Sequence, residues 1–111
     1  SAPVSRKSIQ ITKGNIKTWL RTTTQSKRPT RQHVCAVCGV RIYSSPPQSP
    51  DRVTLRLGTL DDTSWLRPAA AIWMQSAQPW VVLPPEMLTY EKQPPDFSAV
   101  AARWKEIMGQ P

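Results

Sequence analysis

The sequence predicts a mainly β fold, built of short antiparallel strands and hairpins and ending in one C-terminal helix. Three observations predict it. Apolar and polar residues alternate in several short stretches of the first 60 residues, the period of a strand with one wet face. Twelve prolines in 111 residues divide the rest into loops. Only Phe97, Val100, Ala101, Trp104, Ile107 and Met108 recur at helical spacing, and they form a single stripe near the end.

The elements follow in order. Residues 8–12 and 15–22 alternate, with Ile9 and Ile11, then Ile16, Thr18 and Leu20, on one side and Lys17, Trp19 and Arg21 on the other. Lys13-Gly14-Asn15 between them is a tight-turn signal, so the pair reads as a hairpin. Residues 22–30 are polar, contain Pro29, and are expected to form an exposed loop. Strands are expected at 31–35 and 40–43, followed by a loop over 44–50, where three prolines preclude pairing in a sheet interior. Residues 52–57 alternate most clearly, with Val53, Leu55 and Leu57 inward. Residues 70–74 read as a buried strand and 80–83 as another, ended by Pro84-Pro85. The helix is expected at about 97–108, with Asp96 as N-cap and Gly109 as its stop.

Composition narrows the function classes. The longest apolar run, residues 68–74, is less than half of the roughly 18 residues a membrane span requires. Residues 1–7 lack the apolar segment of a secretory signal. Two cysteines exclude a disulfide framework, so a reducing cytoplasm is the expected compartment. The net charge of +8 is uneven, with eleven cations against one anion in residues 1–60 and four against six in the remainder. That asymmetry fits either solvated strand faces or a surface for a polyanion, with Lys17, Trp19, Arg21, Lys27, Arg28 and Arg31 as the candidate contacts.

One motif carries chemistry. Cys35-Ala36-Val37-Cys38-Gly39 places two thiols three residues apart at a bend, and zinc knuckles have this form. Gly39 is free to take positive φ, which turns nearby backbone N–H groups toward the thiolates. Tetrahedral zinc requires four donors, however, and the chain offers this pair plus His33, two residues before Cys35 and on the same strand face. His33 is either a third ligand or an ordinary solvated or packed histidine. A thioredoxin-like redox pair and two inert buried cysteines are the competing readings of the motif.

The order of several short motifs resembles a known family. Ile11-Thr12-Lys13-Gly14, Trp19, Cys35-Ala36-Val37-Cys38-Gly39 with Arg41-Ile42-Tyr43, Gly58-Thr59-Leu60-Asp61-Asp62, Pro68 with Ile72-Trp73, and Gln78-Pro79-Trp80 with Leu83-Pro84 occur in sequence. Together they resemble the second half of the glutathione-dependent formaldehyde-activating (GFA) family, which includes centromere protein V. The resemblance covers residues 1 to about 92 and leaves 93–111 as a C-terminal extension bearing the helix. It implies a GFA-like β domain that lacks the family's N-terminal segment. It further implies a carbon–sulfur lyase relative acting on a glutathione adduct of formaldehyde. The family's CxxCG pair supplies two of the four thiolates of a structural zinc, a role the resemblance assigns to Cys35 and Cys38. The other two thiolates come from an N-terminal CxC, and an N-terminal CxCxxC group holds the catalytic zinc. Ser1-Ala2 resembles the small residues after that group, no cysteine precedes Cys35, and Ala71 stands where many relatives have His.

The expectation is therefore a zinc-binding GFA domain without lyase activity as this chain alone. The alternative is a basic nucleic-acid-binding or protein-interaction module. Zinc is expected to be shared between chains or absent, and the partner to be a second copy in a homodimer or an N-terminal fragment that completes the fold. Trp73, Met74 and Trp80 read as core residues or a ligand cleft, and Asp61-Asp62 as a turn or a carboxylate pair.

Overall fold

The computed structural model describes residues 1–22 and 28–109. The fold is mainly β, with a five-stranded antiparallel sheet and one helix near the C-terminus. Two compact units divide it, Ser1–Thr63 and Ser64–Pro111. No helix among the described residues is long and apolar enough to cross a membrane.

The first unit is the sheet. Strands β1 (Ala2–Ser5), β2 (Ile16–Arg21), β3 (Thr30–Cys35), β4 (Arg41–Ser45) and β5 (Arg52–Leu55) lie in the order β1-β5-β4-β3-β2. The meander β2 to β5 follows the expected alternation, and β1 closes the far edge against β5. Register places Ala2, Leu55, Tyr43, His33 and Thr18 in one row across all five strands. The neighbouring row on the opposite face is Pro3, Thr54, Ser44, Gln32 and Trp19. Val53 is 1% exposed and Tyr43 4%, so the first of these faces carries the densest packing, in a small core. A bulge between His33 and Val34 shifts the β3–β4 pairing, bringing Val34 opposite Arg41.

The sheet differs from expectation at its margins. Residues 8–12 form no strand, so β2 has no hairpin partner there and is an edge, and the chain before them, β1, pairs with β5 at the opposite edge. Arg6 N–H donates to Asp51 O at 2.7 Å and Ile9 N–H to Arg6 O at 3.1 Å, so a 3-10 turn over Arg6–Ser8 leads the chain out of the ladder. Two isoleucines two residues apart suit any extended segment, and residues 2–5, on the far edge against β5, hold the chain entering 8–12 away from β2 in strand order. Leu20, on the side of Ile16 and Thr18, is 59% exposed, because β2 is an edge strand and only Ile16 on it is partly covered. Strand β5 stops at Leu55, and Leu57 enters a 3-10 turn, Leu57–Thr59. Most of the expected 22–30 loop lies outside the described residues.

In the second unit, β6 (Ala70–Ala71) and β7 (Leu88–Thr89) form a two-stranded parallel pair. The strand expected over 70–74 is cut short because Trp73 takes a left-handed conformation, φ 58° and ψ 37°. Residues 80–83 form no strand; Val81 N–H donates to Gln78 O in a turn, and Trp80 is 77% exposed, which removes it from the core. Helix α1 (Ser98–Ile107) forms as expected. The Asp96 carboxylate accepts from both the backbone N–H and the hydroxyl of Ser98 and so satisfies one of the helix's free donors. Gly109, φ 68°, ends the helix. Trp104 on α1 meets Trp65 edge-to-face at 6.3 Å.

Candidate metal centre

The turn between β3 and β4 holds the thiol pair. Cys35 N–H donates to Val40 O at 2.9 Å, and Gly39 N–H returns to Cys35 O at 2.9 Å, so the backbone closes over four residues. Gly39 has φ 76°, the positive value its position after the second cysteine predicts. Ala36 N–H donates to Asn15 O at 3.1 Å and ties the turn to the residue that leads into β2.

This geometry acts on the Cys35 sulfur. Hydrogen bonds from the backbone N–H of Cys38, then that of Val37, and then the Cys38 thiol hold the Cys35 thiol below its ordinary value; partial burial opposes them and Gly39 N–H adds to them. Cys35 is half-buried and Cys38 exposed, and both are free thiols. Amide donors beside a sulfur favour its thiolate over its thiol, and the thiolate is the form that binds metal.

His33 does not join them. Its Nδ1 lies 3.0 Å from Thr18 Oγ1 and its Nε2 2.9 Å from Ser45 Oγ, so both ring nitrogens are occupied. Burial, then the charges of Arg6 and Arg31, hold its pKa below the usual 6.5 and keep the ring neutral at pH 7. Among the described residues no three His, Cys, Asp or Glu side chains could together hold a metal ion. Register makes this legible only in three dimensions: His33 stands opposite Thr18 and Tyr43, and its hydroxyl partners come from strands on either side.

The remaining candidates separate. Asp61 and Asp62 are exposed at a bend, as the turn reading expects, and the preceding turn is held by Thr59 Oγ1 donating to Arg56 O at 2.7 Å. Trp73 and Met74 are half-buried in the second unit. Of the cationic candidates, Lys17, Trp19 and Arg21 share one face of β2, while Arg31 lies on the opposite face of β3. Arg28 is exposed, and Lys27 lies outside the described residues.

A CxxCG turn between antiparallel strands, with β1 to β5 around it, is the context in which the family comparison falls. The sequence model described as glutathione-dependent formaldehyde-activating enzyme matches residues 1–76. The chain belongs to the GFA family. The match takes in the whole sheet, the knuckle and β6. No curated protein and no solved structure matches the chain. The chain's two cysteines, Cys35 and Cys38, both lie within the matched residues.

Proposed function

We propose that this GFA-family chain is a zinc-binding structural module in which Cys35 and Cys38 supply two thiolates of a tetrahedral site. The observation that carries the reading is the CxxCG turn, closed by Cys35 N–H to Val40 O and by Gly39 N–H to Cys35 O, with the backbone N–H groups of Cys38, Val37 and Gly39 lowering the Cys35 pKa. Such donors favour the anionic sulfur and orient it, which is what a zinc knuckle requires. Two thiols make half of a structural site. The other two donors come from outside these residues, either from another copy of this chain about a two-fold axis or from a segment carrying the family's N-terminal cysteines. Bound zinc would supply cross-linking free energy to a small core.

The lyase reaction of the family belongs, on this reading, to an assembly that also brings the catalytic cysteine group. Residues 1–111 contribute the sheet and the structural half-site to it. A glutathione adduct is then a ligand of that assembly.

The test is metal content measured together with native mass. Loaded with Zn²⁺, the chain is expected to carry half a zinc per protomer as a dimer, or one zinc per chain when a fragment bearing the N-terminal cysteines is added. Co²⁺ in place of Zn²⁺ is expected to give thiolate-to-metal absorption that Cys35→Ser and Cys38→Ser each abolish. A chain that takes up no zinc under either condition overturns the proposal.

A further inference from the structure

The thiol knuckle leaves one face of the sheet unexplained. The unit Ser1–Thr63 holds eleven Lys and Arg against three Asp, the whole of the chain's +8, while Ser64–Pro111 holds four of each sign. None of the five strands contains an Asp or Glu. Cations on these strands therefore have no carboxylate beside them in the ladder.

Register gathers the cations. On the face opposite His33, Lys17 and Arg41 flank Val34 from either side, Trp19 is opposite Gln32, and Arg21 is opposite Thr30. Lys17, Arg21 and Arg41 are exposed, and the Trp19 ring is 45% exposed among them. Arg56 follows β5 on the same alternation, its N–H donating to Ile42 O at 2.8 Å. A recess of about 400 Å³ beside it is lined by Ser1, Arg41, Arg56, Gly58 and Thr59 among others, and by no acidic residue. Arg41 and Arg56 line this recess together, and burial, then the charges of Arg41 and Arg21, lower the Arg56 pKa. Arg56 Nη1 reaches only the Ser1 hydroxyl, at 3.2 Å, and its buried Nε has no partner among the described residues. No ion pair among the described residues links these arginines to a carboxylate.

Crowded like charges with spare donors are a standing cost that an anion relieves. The Trp19 ring then distinguishes between anions. Lys17, Trp19 and Arg21 recur about 6.8 Å apart along β2, a repeat on the scale of one nucleotide of an extended strand. An indole lying among cations on an open sheet face offers a stacking surface to an unpaired base, and a duplex keeps its bases stacked on each other. We propose that this face binds single-stranded nucleic acid, with phosphates on Arg21, Arg41 and Arg56 and one base stacked on Trp19.

The experiment is fluorescence anisotropy of a labelled 12-nucleotide oligodeoxythymidylate with the full chain, at 50 and 200 mM NaCl. Three phosphate contacts predict roughly twentyfold weaker binding at the higher salt. Arg41→Ala and Arg56→Ala should each weaken binding and flatten the salt slope by about 0.7. Trp19→Ala should weaken binding about fivefold or more at both salts with the slope unchanged, while Trp19→Phe retains most of the affinity; circular dichroism confirms that each variant is folded. Lys105→Ala, on the helix of the other unit, should change nothing. Absence of binding at 50 mM overturns the proposal. So does equal affinity for a duplex of the same length with no effect of Trp19→Ala, which would be charge alone. Displacement by millimolar inorganic phosphate without any Trp19 effect would make the recess a small-anion site and overturn it equally.

Discussion

His33 and Tyr43 stack face to face across β3 and β4, with ring centroids 4.2 Å apart and planes 16° from parallel. The Arg6 guanidinium lies over the same Tyr43 ring, 5.4 Å from its centroid. With hydroxyls of Thr18 and Ser45 at its two nitrogens, His33 is held as a neutral ring inside a cross-strand network.

That network makes stability depend on pH. The folded pKa of His33 is lowered by burial and by Arg6 and Arg31, so on acidification the unfolded chain takes up the proton first. The stabilisation is complete above the unfolded value of about 6.5 and is lost as pH falls through the folded value. Thermal melts are expected to show a lower melting temperature at pH 5 than at pH 7.5. In His33→Gln, which keeps a hydrogen-bonding side chain without a titration, that part of the slope should vanish.

Gly39 carries a conformational demand. A Cβ there would meet nothing within 4 Å, so the cost of Gly39→Ala is the backbone strain of φ +76° alone. About 1 kcal/mol of destabilisation is expected by denaturant titration, and less for Gly39→Asn. Gly58→Ala is the matched control: the space beside it is also open and its φ is ordinary, so its effect should be close to nil.

Cys35 should titrate as an acidified thiol. Its rate of alkylation by iodoacetamide, followed by peptide mass spectrometry as a function of pH, should have a midpoint below that of an unperturbed cysteine. Cys38→Ser retains the backbone N–H donors of Val37, Cys38 and Gly39 and should preserve most of that displacement. An unshifted midpoint in the wild type would remove the electrostatic basis of the knuckle.

Val53 is the most completely enclosed side chain among the described residues of the first unit, at 1% exposure. Val53→Ala removes two buried methyl groups' worth of packing and leaves a void, an expected loss of about 2 kcal/mol in a urea melt. Val37→Ala, at a site 94% exposed in the knuckle, should change stability by less than about 0.5 kcal/mol.

The period-two stretches at 31–35, 41–43 and 52–55 were legible because each strand buries one face, and a one-residue slip would exchange the faces, whereas Ser44 and Ser45, expected in a loop, pair within β4 because the prolines begin only at Pro46. The positive φ of Gly39 was legible because two thiols at that spacing require it. Helix α1 and its Gly109 stop were legible because capping is a local matter of a few residues, while the N-cap falls on Phe97, one residue after the expected Asp96, whose carboxylate still accepts from Ser98 N–H. Strand β1 was not, since Ala2-Pro3-Val4-Ser5 has no pattern of its own and becomes a strand only where β5 presents an unpaired edge. The conformation of Trp73 and the parallel pairing of Ala70–Ala71 with Leu88–Thr89 likewise have no local signature.

By itself, the sequence determined the β class, the CxxCG knuckle, the terminal helix and the concentration of positive charge in the first 60 residues, all properties of neighbouring residues and local spacing. Only the tertiary structure decided that His33 is bonded away from the thiols, that Arg31 leaves the face shared by Lys17, Trp19 and Arg21, and that Arg56 and Arg41 line one recess. The reason is that strand order and register set which distant side chains meet. Residues 18, 33 and 45 become neighbours through ladder hydrogen bonds that no local pattern encodes.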